Sequence, residues 1–243
     1  RRSCVPHMGV LSFLRTGRDS AIDRTVLFGV AAVSLILLVI VGGMDLLKFD
    51  VVMGIIVVMF LVMVTVPLLR RVARVEGDPG VLRIFIWGFL LKLIFTLVRY
   101  FFITVVYDDN GDAGLYSTGG TVLMGMYRAG HFALEVPQLA SRGPETNRIA
   151  VVVGLVYMVT GVSRYAASFV FGWLCFIGQL LMYRGFRRAV PEGDSRRYAL
   201  LVMFLPSLLF WPSSIGKESL MVFAIGVASY GASYLLAERP HIV

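Results

Sequence analysis

VVMGIIVVMFLVMVTVPLL, residues 51–69, runs nineteen positions without a charge, between Asp50 on one side and Arg70-Arg71 on the other. At about 1.5 Å per residue a helix of that length crosses the hydrocarbon core of a bilayer. Reading this stretch as a membrane helix decides the fold class, because its charged borders are those of a span: acidic at one end, arginine at the other. The rest of the chain repeats the pattern. Apolar runs at 25–44, 81–106, 165–183, 199–211 and 219–237 alternate with polar links, which predicts an all-α bundle of about six transmembrane helices.

Composition supports the same class. The 243 residues are 58% hydrophobic and 16% charged, with a mean hydropathy of +0.80. That is more apolar surface than a soluble domain buries. The net charge of +8 would suggest nucleic acid in a soluble protein. Here the arginines border apolar runs, as the positive-inside bias requires, so no nucleic-acid partner is expected. Cys4 and Cys175 are too differently placed to suggest a disulfide, and no Cys/His spacing of a metal site occurs.

The arginines orient the chain. Residues 1–24 form a basic tail carrying Arg1, Arg2, Arg15, Arg18 and Arg24, expected in the cytoplasm ahead of a retained signal anchor at 25–44. The remainder, 25–243, reads as one transmembrane domain. Arg70, Arg71 and Arg74, and later Arg184, Arg187, Arg188, Arg196 and Arg197, fall on the cytoplasmic side if the apolar piece 149–160 is re-entrant. Asp78-Pro79-Gly80 makes a turn. Pro206 and Pro212 bend or end the short segment 199–211.

The same accounting places residues 107–148 outside, as a long external loop. Its first part, Tyr107-Asp108-Asp109-Asn110-Gly111-Asp112-Ala113-Gly114-Leu115-Tyr116, packs three of the fifteen acidic residues into five positions. Carboxylates at a membrane surface can act as a base or hold a cation, so Asp112, Asp109 and Asp108 are the catalytic candidates. An interfacial helix is expected over 121–135, with Val122, Met126 and Ala129 on one face. His131 stands there alone and reads as an interfacial or packing residue rather than a ligand. Asp108-x-Asn110-x-Asp112 has the spacing that opens a calcium loop, without its later glycine and glutamate; a divalent cation and a plain Asx turn both remain open.

Cations stand on the approach to this loop. Lys92, Thr96 and Arg99, at i, i+4 and i+7, share one helical face directed toward it. A cation inside a bilayer needs a partner. For Lys92 three readings are open: a carboxylate on another helix, an anionic lipid head group, or a snorkelled side chain in a thinned bilayer. Arg164, Lys217 and Glu218 are expected at the same outer face, with Lys217-Glu218 as either a solvated pair or part of the site.

The external Asp112 with Tyr116 four residues on, the helix opening Arg164-Tyr165-Ala166-Ala167-Ser168, and the helix ending Leu205-Pro206-Ser207-Leu208-Leu209-Phe210-Trp211-Pro212-Ser213-Ser214 resemble the amino-terminal half of the GT-C superfamily of polytopic glycosyltransferases. The resemblance covers roughly 107–237. It implies a polyprenyl-phosphate-sugar donor, an acidic residue of the first external loop as general base or metal organiser, matched here by Asp112, and a place in bacterial cell-envelope polysaccharide assembly. In chemical terms the leaving phosphate calls for cations, a role open to Lys217, Arg99 and Arg164, with Tyr116 beside the base. The chain departs from the family in having two apolar segments before the loop and Ala113 where an Asp-Glu pair is usual. Two other classes compete: a non-catalytic membrane subunit that docks a partner or a missing carboxy-terminal half, and an anion or lipid transporter lined by Lys92 and Arg99.

Overall fold

A computed structural model of the protein describes residues 48–108, 111–136 and 144–237. The basic tail, the apolar run 25–44, Asp109 and Asn110 lie outside the described residues. Those described are all-helical, without a strand.

Helix α1, Phe49–Glu76, is the decisive stretch extended by two turns at its arginine end. Gly77 stops it in the left-handed region, φ 68°, donating its N–H to Ala73 O at 3.0 Å. Asp78 then caps α2, Pro79–Phe101, by accepting from Gly80 N at 2.8 Å. α2 passes into a π-turn, Phe102–Val106. Helices α3, Asp112–Arg128, and α4, Pro144–Thr160, follow. α5, Arg164–Ala189, starts at a Ser163 cap; α6, Ser195–Phe204, and α7, Pro206–Phe210, come next. α8 is Lys217–Ala237.

Four of these helices are long and apolar enough to cross a membrane: Phe49–Glu76, Gly80–Val106, Arg164–Ala189 and Lys217–Leu236. The chain is a helical membrane protein, with four candidate spans among the described residues against an expectation of about six. The run 25–44 lies outside them. The run 199–211 is two short helices, α6 and α7, broken at Leu205-Pro206. The break has a local cause. In an unbroken helix Val202 O would accept from residue 206 and Leu208 O from residue 212, and both are prolines without an N–H. Two buried side chains serve those carbonyls instead: Gln179 Nε2 donates to Val202 O at 2.6 Å, and Lys92 Nζ donates to Leu208 O.

α1, α5 and α8 run parallel and α2 runs against them, around a core that includes Phe85, Phe89, Phe169, Phe176 and Tyr183. The edge of Phe85 meets the Tyr183 ring at 4.9 Å. α5 is the central helix, and glycine sets its distance to α8. A Cβ on Gly178 would stand 2.6 Å from Val222 O, and one on Gly226 would stand 2.2 Å from Gly178 O, so the two backbones touch. Gly185 approaches Ser229 O in the same way, at 3.0 Å.

The bundle has two chemically distinct ends. At one, Arg187 Nε meets Glu76 Oε2 at 2.8 Å and Arg196 grips Asp78 through two bonds of 2.6 and 2.8 Å. Exposed Arg70, Arg71, Arg74, Arg83, Arg188 and Arg197 surround those pairs. At the other end Asp50 Oδ1 accepts from Ser163 Oγ at 2.6 Å and from Tyr165 N at 3.1 Å, which ties the start of α1 to the start of α5. Tyr100 stacks on Tyr165 at 4.0 Å and ties in the end of α2. This second end, the acidic one, carries the candidate site.

Candidate functional site

α3 begins at the acidic stretch itself. Asp112 is its first residue, where a carboxylate is favoured by the helix dipole. The helix expected over 121–135 therefore starts nine residues earlier and stops at Arg128, with Ala129 as its C-cap. Its buried face runs through Ala113, Tyr116, Gly120, Leu123 and Tyr127 rather than Val122, Met126 and Ala129. The reason is α4. A Cβ on Gly120 would lie 2.5 Å from Val153 Cγ1, so this glycine is a close-packing residue and not loop flexibility. The partner hairpin helix α4 is 17 residues, about 25 Å long, and a polar first turn from Pro144 lengthens the apolar piece expected to be re-entrant. Ser117 Oγ and Tyr157 Oη pair at 2.8 Å across the hairpin.

Four residues after Asp112, one helical turn on, Tyr116 is buried, 4% exposed. Burial pushes its phenol up first; the Asp112 carboxylate and then the Glu218 carboxylate push it further in the same direction. Asp112 and Glu218, distant in sequence, thus both act electrostatically on one hydroxyl. Glu218 and Lys217, both exposed, open α8, and the buried turn Pro212–Gly216 leads into them. Ile215 from that turn packs with Tyr116, Tyr157, Ala167 and Phe171, which fixes the start of α8 against α3, α4 and α5.

Arg164 stands at the first position of α5, its guanidinium 5.9 Å from the Tyr100 ring centre, and it shares the electrostatic surroundings of Tyr157 with Asp50. Arg99, at the end of α2, lies over Trp211 at 4.7 Å, Phe210 at 5.0 Å and Tyr107 at 6.0 Å. Its Nε and Nη1 are buried and have no hydrogen-bond partner among the described residues.

Lys92 is elsewhere. It is 1% exposed, two turns deeper on α2, and donates to Leu208 O and to Cys175 Sγ at 3.3 Å. A backbone carbonyl and a thiol, rather than a carboxylate, hold this cation among the described residues. Thr96 turns its hydroxyl back to Lys92 O at 2.8 Å.

The acidic end thus gathers Asp112, Tyr116, Arg99, Arg164, Lys217 and Glu218 from the candidates and leaves Lys92 in the interior. Asp108 lies in the turn after the π-helix with φ 47°, exposed. Asp109 and Asn110 lie outside the described residues. Among those described, no three His, Cys, Asp or Glu side chains gather as metal ligands. His131 is exposed and follows the end of α3.

Sequence reasoning passed over Asp50, Tyr157 and Trp211. Trp211 was legible only as part of a motif, because its role depends on Arg99 from another helix. Asp50, in sequence only the acidic border of a span, is the carboxylate that seats α5.

No family model, curated protein or solved structure matches the chain.

Proposed function

We propose that this protein is a membrane glycosyltransferase that moves a sugar from a polyprenyl-phosphate donor to an acceptor hydroxyl at the outer face of a bacterial plasma membrane. In this reading the product is cell-envelope polysaccharide or glycoconjugate, and the amino-terminal tail lies in the cytoplasm. The observation that carries the proposal is the placing of Asp112, at the start of α3, and Glu218, at the start of α8, at the same bundle end as Arg99, Arg164 and Lys217, with both carboxylates felt by the Tyr116 phenol. Two carboxylates and a phenol at one bundle end supply acid and base groups, and the guanidinium and ammonium groups at that end supply charge for a departing phosphate.

In the proposed reaction Asp112 takes the proton of the acceptor hydroxyl as its oxygen bonds to the sugar's anomeric carbon. The bond from that carbon to the phosphate oxygen breaks, and the electron pair leaves with the polyprenyl phosphate. Arg164 and Lys217 stabilise the charge that develops there. The resemblance to the GT-C superfamily points the same way, with Asp112 at the position of the loop acid. Membranes carrying Asp112→Asn should keep the protein level of the parent and lose sugar transfer by about 100-fold or more, the usual worth of a general base. Unchanged transfer would remove Asp112 from the chemistry and leave the α3–α4 hairpin as a docking surface for a partner subunit.

A further inference from the structure

We infer that Arg99 and the rings around it form a binding site for the phosphate head group of an anionic membrane lipid. The guanidinium has two nitrogens, Nε and Nη1, closed off from solvent and without a hydrogen-bond partner among the described residues. Buried donors of a charged group are satisfied in nearly all folded proteins, and an unsatisfied pair at a defined position marks a place where a ligand supplies the acceptor. The rings of Trp211 and Phe210, at 4.7 and 5.0 Å, offset part of the cost by their negative faces while supplying no hydrogen-bond acceptor. Phosphate matches a guanidinium through paired N–H···O bonds.

The surroundings select a lipid over a soluble phosphate. Trp211, Phe101, Val105 and Val106 are 52, 42, 62 and 53% exposed and lie on the two elements that hold Arg99, α2 with its π-turn and the end of α7. Phe102 links them, its ring 5.6 Å from that of Phe210. A fixed cation bordered by exposed aromatic and branched side chains suits an amphiphile whose phosphate meets the guanidinium and whose hydrocarbon lies along the apolar border. The π-turn starts three residues after Arg99, with Tyr107 N bonded back to Phe102 O at 2.9 Å. Its extra residue turns Tyr107 toward the guanidinium, and such insertions recur at functional sites. This site deepens the function proposed above, whose donor carries its sugar on a lipid phosphate, and it is tested without any sugar transfer.

The test places the full chain in phosphatidylcholine nanodiscs with Trp87→Phe and Trp173→Phe, so that Trp211 is the remaining indole. Brominated phosphatidylglycerol or brominated phosphatidylcholine is then added as a quencher. Phosphatidylglycerol should quench Trp211 at roughly a tenfold lower mole fraction, the scale of one charge-assisted hydrogen bond. Arg99→Met should abolish that preference and Arg99→Lys should keep part of it. Thermal unfolding of Arg99→Met should be no easier than that of the parent, because a buried unpaired charge has been replaced by an apolar chain of similar length. Asp112→Asn should retain the lipid preference while losing transfer, which separates this site from the catalytic proposal. Equal quenching by both lipids, or a preference that survives Arg99→Met, overturns the inference. Reversal of the quenching by millimolar inorganic phosphate overturns the lipid as its occupant and assigns the site to a soluble phosphate.

Discussion

Gln179 donates to the carbonyl oxygen of Val202 across the α5–α6 contact, at the one position where Pro206 removes the backbone donor. Both groups are buried. Gln179→Leu keeps the volume and leaves the carbonyl without a partner, so unfolding in detergent should become easier by about 1–3 kcal/mol. Pro206→Ala returns a backbone N–H to that position. The double variant should therefore lose less than the sum of the two single ones, with a coupling of roughly 1 kcal/mol in an unfolding cycle. Strict additivity would show that the side chain does not serve this carbonyl.

Lys92 and Leu208 O repeat the arrangement with a charged donor. A donor is needed there and the charge is not, so Lys92→Gln should hold the α6–α7 break in place better than Lys92→Met. The measurement is protease or alkylation access to residues 205–212, with Cys175 as an internal thiol probe, buried in the parent. Equal access in the two variants would count against the capping role and favour a transport or ligand role for the ammonium group.

Much of the fold was legible in the residues. Charged borders of the apolar runs predicted α1, α2, α5 and α8, because charges cannot be left against hydrocarbon. The two prolines predicted the broken segment, since each deletes a donor four residues after a carbonyl. What the sequence did not carry was pairing between distant elements. The acidic stretch read as a loop because glycine and aspartate are frequent in turns, whereas Gly120 serves contact with Val153 and Asp112 starts a helix. The face shared by Lys92 and Arg99 was legible from spacing. That the first caps a carbonyl and the second faces three rings followed only from where α7 lies.

The Tyr116 phenol is held above its ordinary value of 10.0 by burial and by two carboxylates. Its protonated form therefore persists to higher pH than that of a free tyrosine. Replacing either carboxylate removes part of the cause, so Asp112→Asn and Glu218→Gln should each move the Tyr116 titration back toward 10.0, with the larger shift from Asp112, the stronger of the two influences. A fluorinated tyrosine placed at position 116 alone, among the ten tyrosines of the chain, reports this titration by NMR. A titration that ignores both substitutions would place the carboxylates too far from the phenol for joint chemistry.

At the basic end, hydrogen bonds from Arg196 hold the Asp78 carboxyl at about 2, below its ordinary 3.8. Because the folded value is the lower one, the pair stabilises the fold above about pH 4, and that contribution is lost as pH falls from 4 toward 2. Asp78→Asn preserves the cap on Gly80 and removes the charge. Its unfolding midpoint should lie below the parent's at pH 6 and converge with it near pH 2, and parallel curves would assign the stabilisation to the cap alone.

Glycines of α8 allow the backbone contact and the open surface to be compared on one helix. Gly226 has no room: a Cβ would stand 2.2 Å from Gly178 O, and backbone cannot give way as a flexible side chain can. Gly231 has nothing within 4 Å of the same atom. Gly226→Ala must push α8 off α5, so it should destabilise by about 1–3 kcal/mol, the usual cost of overpacking. Gly231→Ala adds no contact and reduces backbone freedom within a helix, so it should stabilise by about 0.5–1 kcal/mol. Thermal unfolding of the two variants in the same detergent should shift in opposite directions. A matching shift would mean that α8 does not rest on α5 through Gly178, and the seat of Lys217 and Glu218 beside α3 would lose its support.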